Sequence, residues 1–172
     1  MGYVINLISI LVVFAFLGYS SWSDIKTREV SNTVWMLFAP IGAALTIARL
    51  YFLPELLYIS LGSIIIATAF AFLLFYAGIF GGADAKGLIC IGISLPTLPE
   101  DIPVSANFFH PFFPVVILSN SFLVAVSMAL YILVRNIYWK YSTHRSLFFG
   151  LEREPAWKKL FALVSGYKVD LE

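Results

Sequence analysis

Apolar residues in this chain fall in long runs, not in alternation. The runs are Tyr3–Tyr19, Val34–Phe52, Leu56–Phe80, Ala83–Leu95 and Val115–Val134, with short polar or proline-rich stretches between them. About 20 apolar residues in an α-helix cross the ~30 Å hydrocarbon core of a bilayer, so each run predicts a membrane helix. The first run is read as a retained helix, because no Lys or Arg precedes it and no small-residue cleavage site follows it. Arg49 interrupts the second run near its end, and Pro54 closes it. The fourth run makes only about 20 Å of helix, too little to span. It therefore borrows length from the segment after it or sits inside the bundle. Leu95–Pro114 carries Pro96, Pro99, Pro103, Pro111 and Pro114 and reads as a loop. Its Phe108, Phe109, Phe112 and Phe113 suit the headgroup interface. The expected fold class is an all-α polytopic integral membrane protein. It is a helical bundle of about five to six transmembrane helices with a small cytoplasmic tail.

The pattern changes after Arg135. Glu154-Pro155 reads as a helix start with proline at the first helical position. Trp157, Leu160, Phe161 and Val164 then recur at helical spacing, Lys158 and Lys159 lie off that stripe, and Gly166 is a stop. This reads as an amphipathic helix lying on the anionic inner leaflet of the membrane. Tyr167, Val169 and Leu171 alternate with Lys168, Asp170 and Glu172, as in the beginning of a strand. A lone strand has no partner, so a chain cut inside a small soluble domain is expected. The domain reading is a transmembrane part over 1–135 and a basic cytoplasmic amphipathic tail over 136–172, the start of a soluble subdomain.

Composition agrees with a membrane class. The chain is 60% hydrophobic and only 12% charged, against roughly 25% charged in soluble domains. The formal net charge of +1 gives no reason to expect a nucleic-acid partner. What matters is how the charges are sorted. Every Lys and Arg except Arg49 falls between the first two runs, at the start of the fourth, or in the tail. If all five runs cross, these segments share one side. The positive-inside rule makes that side cytoplasmic and puts the N-terminus outside. The expected location is thus the plasma membrane, multi-pass. Cys90 is the single cysteine, so neither a disulfide framework nor a cysteine-built zinc site exists. His110 and His144 lack an acidic cluster, and no metal is expected.

Two acids stand out against this background. Asp84 lies in Gly81-Gly82-Ala83-Asp84-Ala85-Lys86, where the third run ends and the fourth begins. Asp24 follows the first run in Ser23-Asp24-Ile25-Lys26-Thr27-Arg28-Glu29-Val30-Ser31-Asn32. The charge sorting puts both near the cytoplasmic face. Taken singly, Asp84 is a helix N-cap and Asp24 a solvated loop acid balanced by Lys26 and Arg28. Taken together, they meet if the first and fourth helices pack side by side. Two carboxyls sharing a site do not both ionise easily, so one donates a hydrogen bond while the other takes a proton from water. That is aspartic-protease chemistry. Gly81 and Gly82 let backbone approach closely and permit unusual conformations. Arg28 and Lys86 are supporting residues that pair with headgroups or with the neighbouring aspartates, and Asn32 is expected to cap the second helix.

Asp24-x-x-x-Arg28-x-Val30-Ser31-Asn32, followed by Gly81-Gly82-Ala83-Asp84-Ala85-Lys86, resembles the type IV prepilin peptidases and archaeal preflagellin peptidases over about residues 1–135. Ala83 before Asp84 matches the archaeal Gly-x-hydrophobic-Asp variant more closely than Gly-x-Gly-Asp. The resemblance implies a catalytic pair of Asp24 and Asp84, supported by Gly81, Gly82, Arg28, Lys86 and Asn32, with no cofactor. It implies removal of a short basic leader from prepilin-like or preflagellin precursors at the cytoplasmic face. Ser31 stands where the family often has proline. The cysteine tetrad of members with N-methylation activity is absent, so peptidase activity alone is expected. Membrane lipids are the other expected partners, and the oligomeric state is open. The presenilin group shares membrane aspartates, but Ser23-Asp24 lacks its tyrosine and Pro155-Ala156-Trp157 matches its later motif poorly. An ion- or proton-coupled transporter is the alternative from another class. It would place its acids at mid-membrane on broken helices.

Overall fold

The structure, a computed structural model, describes residues 2–99, 111–143, 146–148 and 151–166. The expectations for Phe108, Phe109, His110, His144 and the alternation at 167–171 lie outside these residues. The described elements are helical: α1 (Gly2–Thr27), α2 (Asn32–Phe52), a 3-10 turn (Pro54–Leu56), α3 (Leu57–Tyr76), α4 (Gly82–Ser94), α5 (Phe113–Thr143) and α6 (Ala156–Ser165). Four of them are long and apolar enough to cross a membrane: α1, α2, α3 with its leading turn, and α5. The protein is membrane-embedded. The fourth run forms α4, whose 13 residues make about 20 Å of helix and do not span alone.

Contacts divide the chain into two compact units, Met1–Leu118 and Ser119–Glu172. In the first unit α4 is the central element, packed between α2 and α3, while α1 packs mainly on α2 and only lightly on α4. Lipid tails are as apolar as leucine, so close backbone approach and interhelical hydrogen bonds hold such helices together. Along the α2–α4 seam, Asn32 meets Lys86, Gly42 meets Ser94, and Thr46 and Arg49 reach the end of α4. The numbers rise together, so α2 and α4 run in the same direction. On the other flank Gly82 lies against Phe75 and Gly92 against Ala67, and Ser63 donates to the Pro96 carbonyl. Here the numbers run oppositely, so α3 is antiparallel to α4. Val13, Trp35, Phe38, Cys90, Ile91 and Leu95 form the core where α1, α2 and α4 converge. Phe16 stacks on Phe38 with ring centroids 4.7 Å apart.

Arg49 is the odd base on the far side in the charge pattern. It is 4% exposed. Its Nη1 donates to the Thr97 carbonyl at 3.3 Å and its Nη2 to the Leu98 carbonyl at 3.1 Å. The guanidinium therefore holds the chain that leaves α4. Thr46 Oγ1 assists by donating to the Ile93 carbonyl at 2.7 Å. These bonds let so short a helix sit in the bundle.

In the second unit, Asn136 of α5 holds the end of α6. Its Nδ2 donates to the carbonyls of Leu163 at 2.9 Å and Gly166 at 2.7 Å. Pro155 is the N-cap of α6 and not its first helical residue, which is Ala156, and Gly166 is the C-cap as expected.

Candidate active site

The two candidate acids come from helix ends at one end of the first unit. Asp24 does not lie in a loop after the first helix. α1 runs eight residues past Tyr19 to Thr27 and carries Asp24 in its last turn. The helix stops because Arg28 takes φ 58°, the left-handed conformation that often ends helices and that non-glycine residues seldom adopt. Its N–H donates to the Asp24 carbonyl at 2.9 Å. The Ser23 and Thr27 hydroxyls both donate to the Glu29 carbonyl, at 2.9 and 3.0 Å, and fix the turn. The expected balancing of Asp24 by Lys26 and Arg28 is not found. Lys26 Nζ sits 4.4 Å from the centroid of the Trp22 ring. No hydrogen bond or ion pair among the described residues engages the Asp24 carboxylate, which is exposed.

Asp84 is not the N-cap of α4. Gly81 holds that place, and Asp84 sits in the first turn, where its Oδ2 accepts the Gly81 N–H at 3.1 Å. A carboxylate here also faces the positive end of the helix dipole. The geometry gives Gly81 a specific reason. A Cβ on it would stand 3.2 Å from Asp84 Oδ2 and crowd the carboxylate. Gly81 has an ordinary extended backbone. The unusual conformation belongs to Gly78, with φ 71° in the turn after α3.

Asn32 and Lys86 also depart from expectation. Ser31 caps α2, its hydroxyl accepting the Thr33 N–H at 3.3 Å. Asn32 is thereby released for another contact. Lys86 does not pair with Asp84: its Nζ donates to Asn32 Oδ1 at 2.6 Å. This bond crosses from α4 to α2, two residues past Asp84 and four residues past Arg28. It ties the two motif segments to one end of the bundle. Among the described residues the two carboxylates share no hydrogen bond.

A groove of about 380 Å³ opens between α1 and α2, lined by Phe16, Tyr19, Ser31, Thr33, Val34 and Leu37. Tyr19 stands five residues before Asp24, so the groove lies just below that acid. Its walls are apolar with a hydroxyl rim and offer no charge to a basic group.

Residues 11–133 match the model of the type IV leader peptidase family. Among curated proteins, a preflagellin peptidase of Methanococcus voltae is 28% identical over 145 residues, covering 79% of this chain and 58% of that protein. A preflagellin peptidase of Methanocaldococcus jannaschii is 26% identical over 66% of this chain and 51% of its own length. One from Methanococcus maripaludis is 28% identical over 69% and 54%. The chain thus spans between 51% and 58% of the length of these relatives. No solved structure matches it significantly.

Proposed function

The chain belongs to the type IV leader peptidase family, and from that premise we propose that it is a membrane-embedded aspartic endopeptidase with Asp24 and Asp84 as its catalytic pair. Its substrates are preflagellin-like or prepilin-like precursors, from which it removes a short basic leader. The observation that carries this reading is the Lys86–Asn32 hydrogen bond, which joins the segment after Asp24 to the helix that presents Asp84. Both acids stand at helix ends, as a protease acting near a membrane face requires. A carrier would hold them at mid-span.

The chemistry follows from a shared proton. One carboxylate takes a proton from a water lying between the pair, and that water's oxygen attacks the scissile carbonyl carbon. The other carboxyl, protonated, donates to the carbonyl oxygen. The tetrahedral intermediate collapses as the C–N bond breaks and the leaving nitrogen takes up a proton. Gly81 leaves Asp84 uncrowded, and Lys86 with Asn32 sets the spacing of α4 against α2. Arg28 shapes the turn after Asp24. The Lys and Arg distribution supports an external N-terminus and a cytoplasmic site. On that side a basic leader is drawn to anionic headgroups. We assign the catalytic part to residues 1–135 and the basic tail to 136–172. Catalysis uses no metal or other cofactor, and without a cysteine tetrad the activity is proteolysis alone.

The direct test is incubation of the purified chain, reconstituted in lipid, with a leader-bearing preflagellin. Mass spectrometry should find the precursor shortened by its leader and no added methyl group. An uncut precursor beside a folded chain rejects the assignment. A finer test bears on Lys86. A hydrogen bond to a charged donor contributes about 1.5–3 kcal/mol when buried and less at an exposed site. Lys86→Met is therefore expected to lower kcat/KM roughly tenfold, with Asn32→Ala costing a similar amount. The double variant should be no worse than either single change, and Lys86→Arg should recover part of the loss. Additive losses would mean that the two residues act separately.

A further inference from the structure

Helix α6 is built inside out for a helix in water. Its inward side carries Lys159, Ala162 and Leu163, all partly buried, while Trp157, Leu160 and Phe161 are 60%, 60% and 64% exposed. Lys159 Nζ donates to the Glu152 carbonyl at 2.9 Å and lies 5.8 Å from the centroid of the Phe148 ring. Lys158 is engaged with Glu154 at 2.7 Å. The outward face is thus a patch of two aromatic rings and a leucine, Trp157 and Phe161 edge to face at 6.2 Å. Something apolar must cover it.

The anchorage of α6 says what that is. Asn136 is 2% exposed and holds the Leu163 and Gly166 carbonyls. It follows directly on Arg135, which ends the apolar run of the spanning helix α5. The last turn of α6 is therefore fixed to α5 at the depth where α5 passes from hydrocarbon into headgroups. Trp and Phe concentrate at that depth. Residues 135–166 also carry Arg135, Lys140, Arg145, Arg153, Lys158 and Lys159 against Glu152 and Glu154 alone, so the surroundings are basic. We propose that α6 is an interfacial strut: its Trp157, Leu160 and Phe161 face docks on the surface of a bilayer with anionic headgroups, at a depth set by Asn136. The apolar side chains of such a helix sink about 5–10 Å, to the boundary of headgroups and acyl chains, and the basic residues meet lipid phosphates.

Site-specific quenching tests this on the whole chain. Cys90 is buried and does not compete for label, so an environment-sensitive fluorophore is placed at Leu160→Cys, Phe161→Cys or, facing inward, Ala162→Cys. Each protein is reconstituted in vesicles of phosphatidylcholine and phosphatidylglycerol, with a lipid carrying a spin label near the headgroup end of its acyl chain. Quenching at 160 and 161 should be several-fold stronger than at 162. It should weaken in phosphatidylcholine alone, and Asn136→Ala should reduce the contrast between the positions. Blue-shifted but unquenched emission at 160 and 161 would mean that protein covers the face, and red-shifted emission that water does. Either result overturns the proposal. Equal quenching with and without phosphatidylglycerol overturns the role given to anionic headgroups.

Discussion

Asp24→Asn and Asp84→Asn should each abolish leader cleavage while leaving the chain folded. A positioned acid or base contributes typically 10²–10⁴-fold to rate, so a loss of roughly a thousandfold or more in kcat is expected from either change. The contacts make these substitutions clean. Asp24 makes no side-chain bond among the described residues, so asparagine removes nothing structural. At position 84 an asparagine oxygen can still accept the Gly81 N–H that Asp84 Oδ2 accepts at 3.1 Å. Stability should therefore stay within about 0.5 kcal/mol. The double variant should be no slower than the singles, because residues acting as a unit are not additive. The measurement is single-turnover cleavage of a leader-bearing precursor, with thermal unfolding in detergent alongside. Full activity in either single variant removes that aspartate from the pair.

The largest expected effect on stability comes from the small residues that seat α4. A Cβ at Gly42 would lie 1.9 Å from Ser94 Oγ, and one at Gly92 would lie 2.6 Å from the Ala67 Cβ. Neither fits without moving a helix. Overpacking a tight core costs about 1–3 kcal/mol and occasionally more. Gly42→Val should exceed that range, because it pushes α2 from α4 and strips Thr46 of the Ile93 carbonyl. Gly92→Ala should fall within it. The informative experiment is a swap. Ala67→Gly combined with Gly92→Ala moves one methyl across the α3–α4 contact and should restore most of the unfolding temperature that Gly92→Ala loses. A double variant as unstable as Gly92→Ala alone would show that the contact is not what limits this seam.

Much of the fold can be read from the chain because lipid imposes length and hydrophobicity on anything that spans it. Long apolar runs become long helices almost wherever they occur, as α1, α2, α3 and α5 do. Boundaries are harder to read. The apolar run ends at Tyr19, but helix geometry continues through polar residues to Thr27, which moves Asp24 from a loop into a helix. The two motifs are legible as chemistry, since an acid beside glycines at a span boundary is costly to keep. The partners of their residues are not legible. Asn32 looks like a cap, yet Ser31 does that work one position earlier and frees Asn32 for Lys86. Arg49 looks like a topological marker, yet it grips two carbonyls across the bundle. Such pairings depend on which helices are neighbours and which way they run, and a local pattern of residue types does not encode that.

The shortness of α4 decides how the reaction centre comes into being. A helix of 13 residues that opens with Asp84 and Lys86 and closes with Ser94 is not hydrophobic enough to leave water for lipid by itself. Its berth is made by α2 and α3, through Gly42, Ala67, Thr46 and Arg49. Its entry is therefore an act of assembly and not of partition. During synthesis the first three helices emerge before it, and a nascent chain holds Asp24 without its counterpart. On the proposed assignment the protein acquires the power to cut only when its central helix has docked, so an immature chain in the membrane is inert toward the precursors around it.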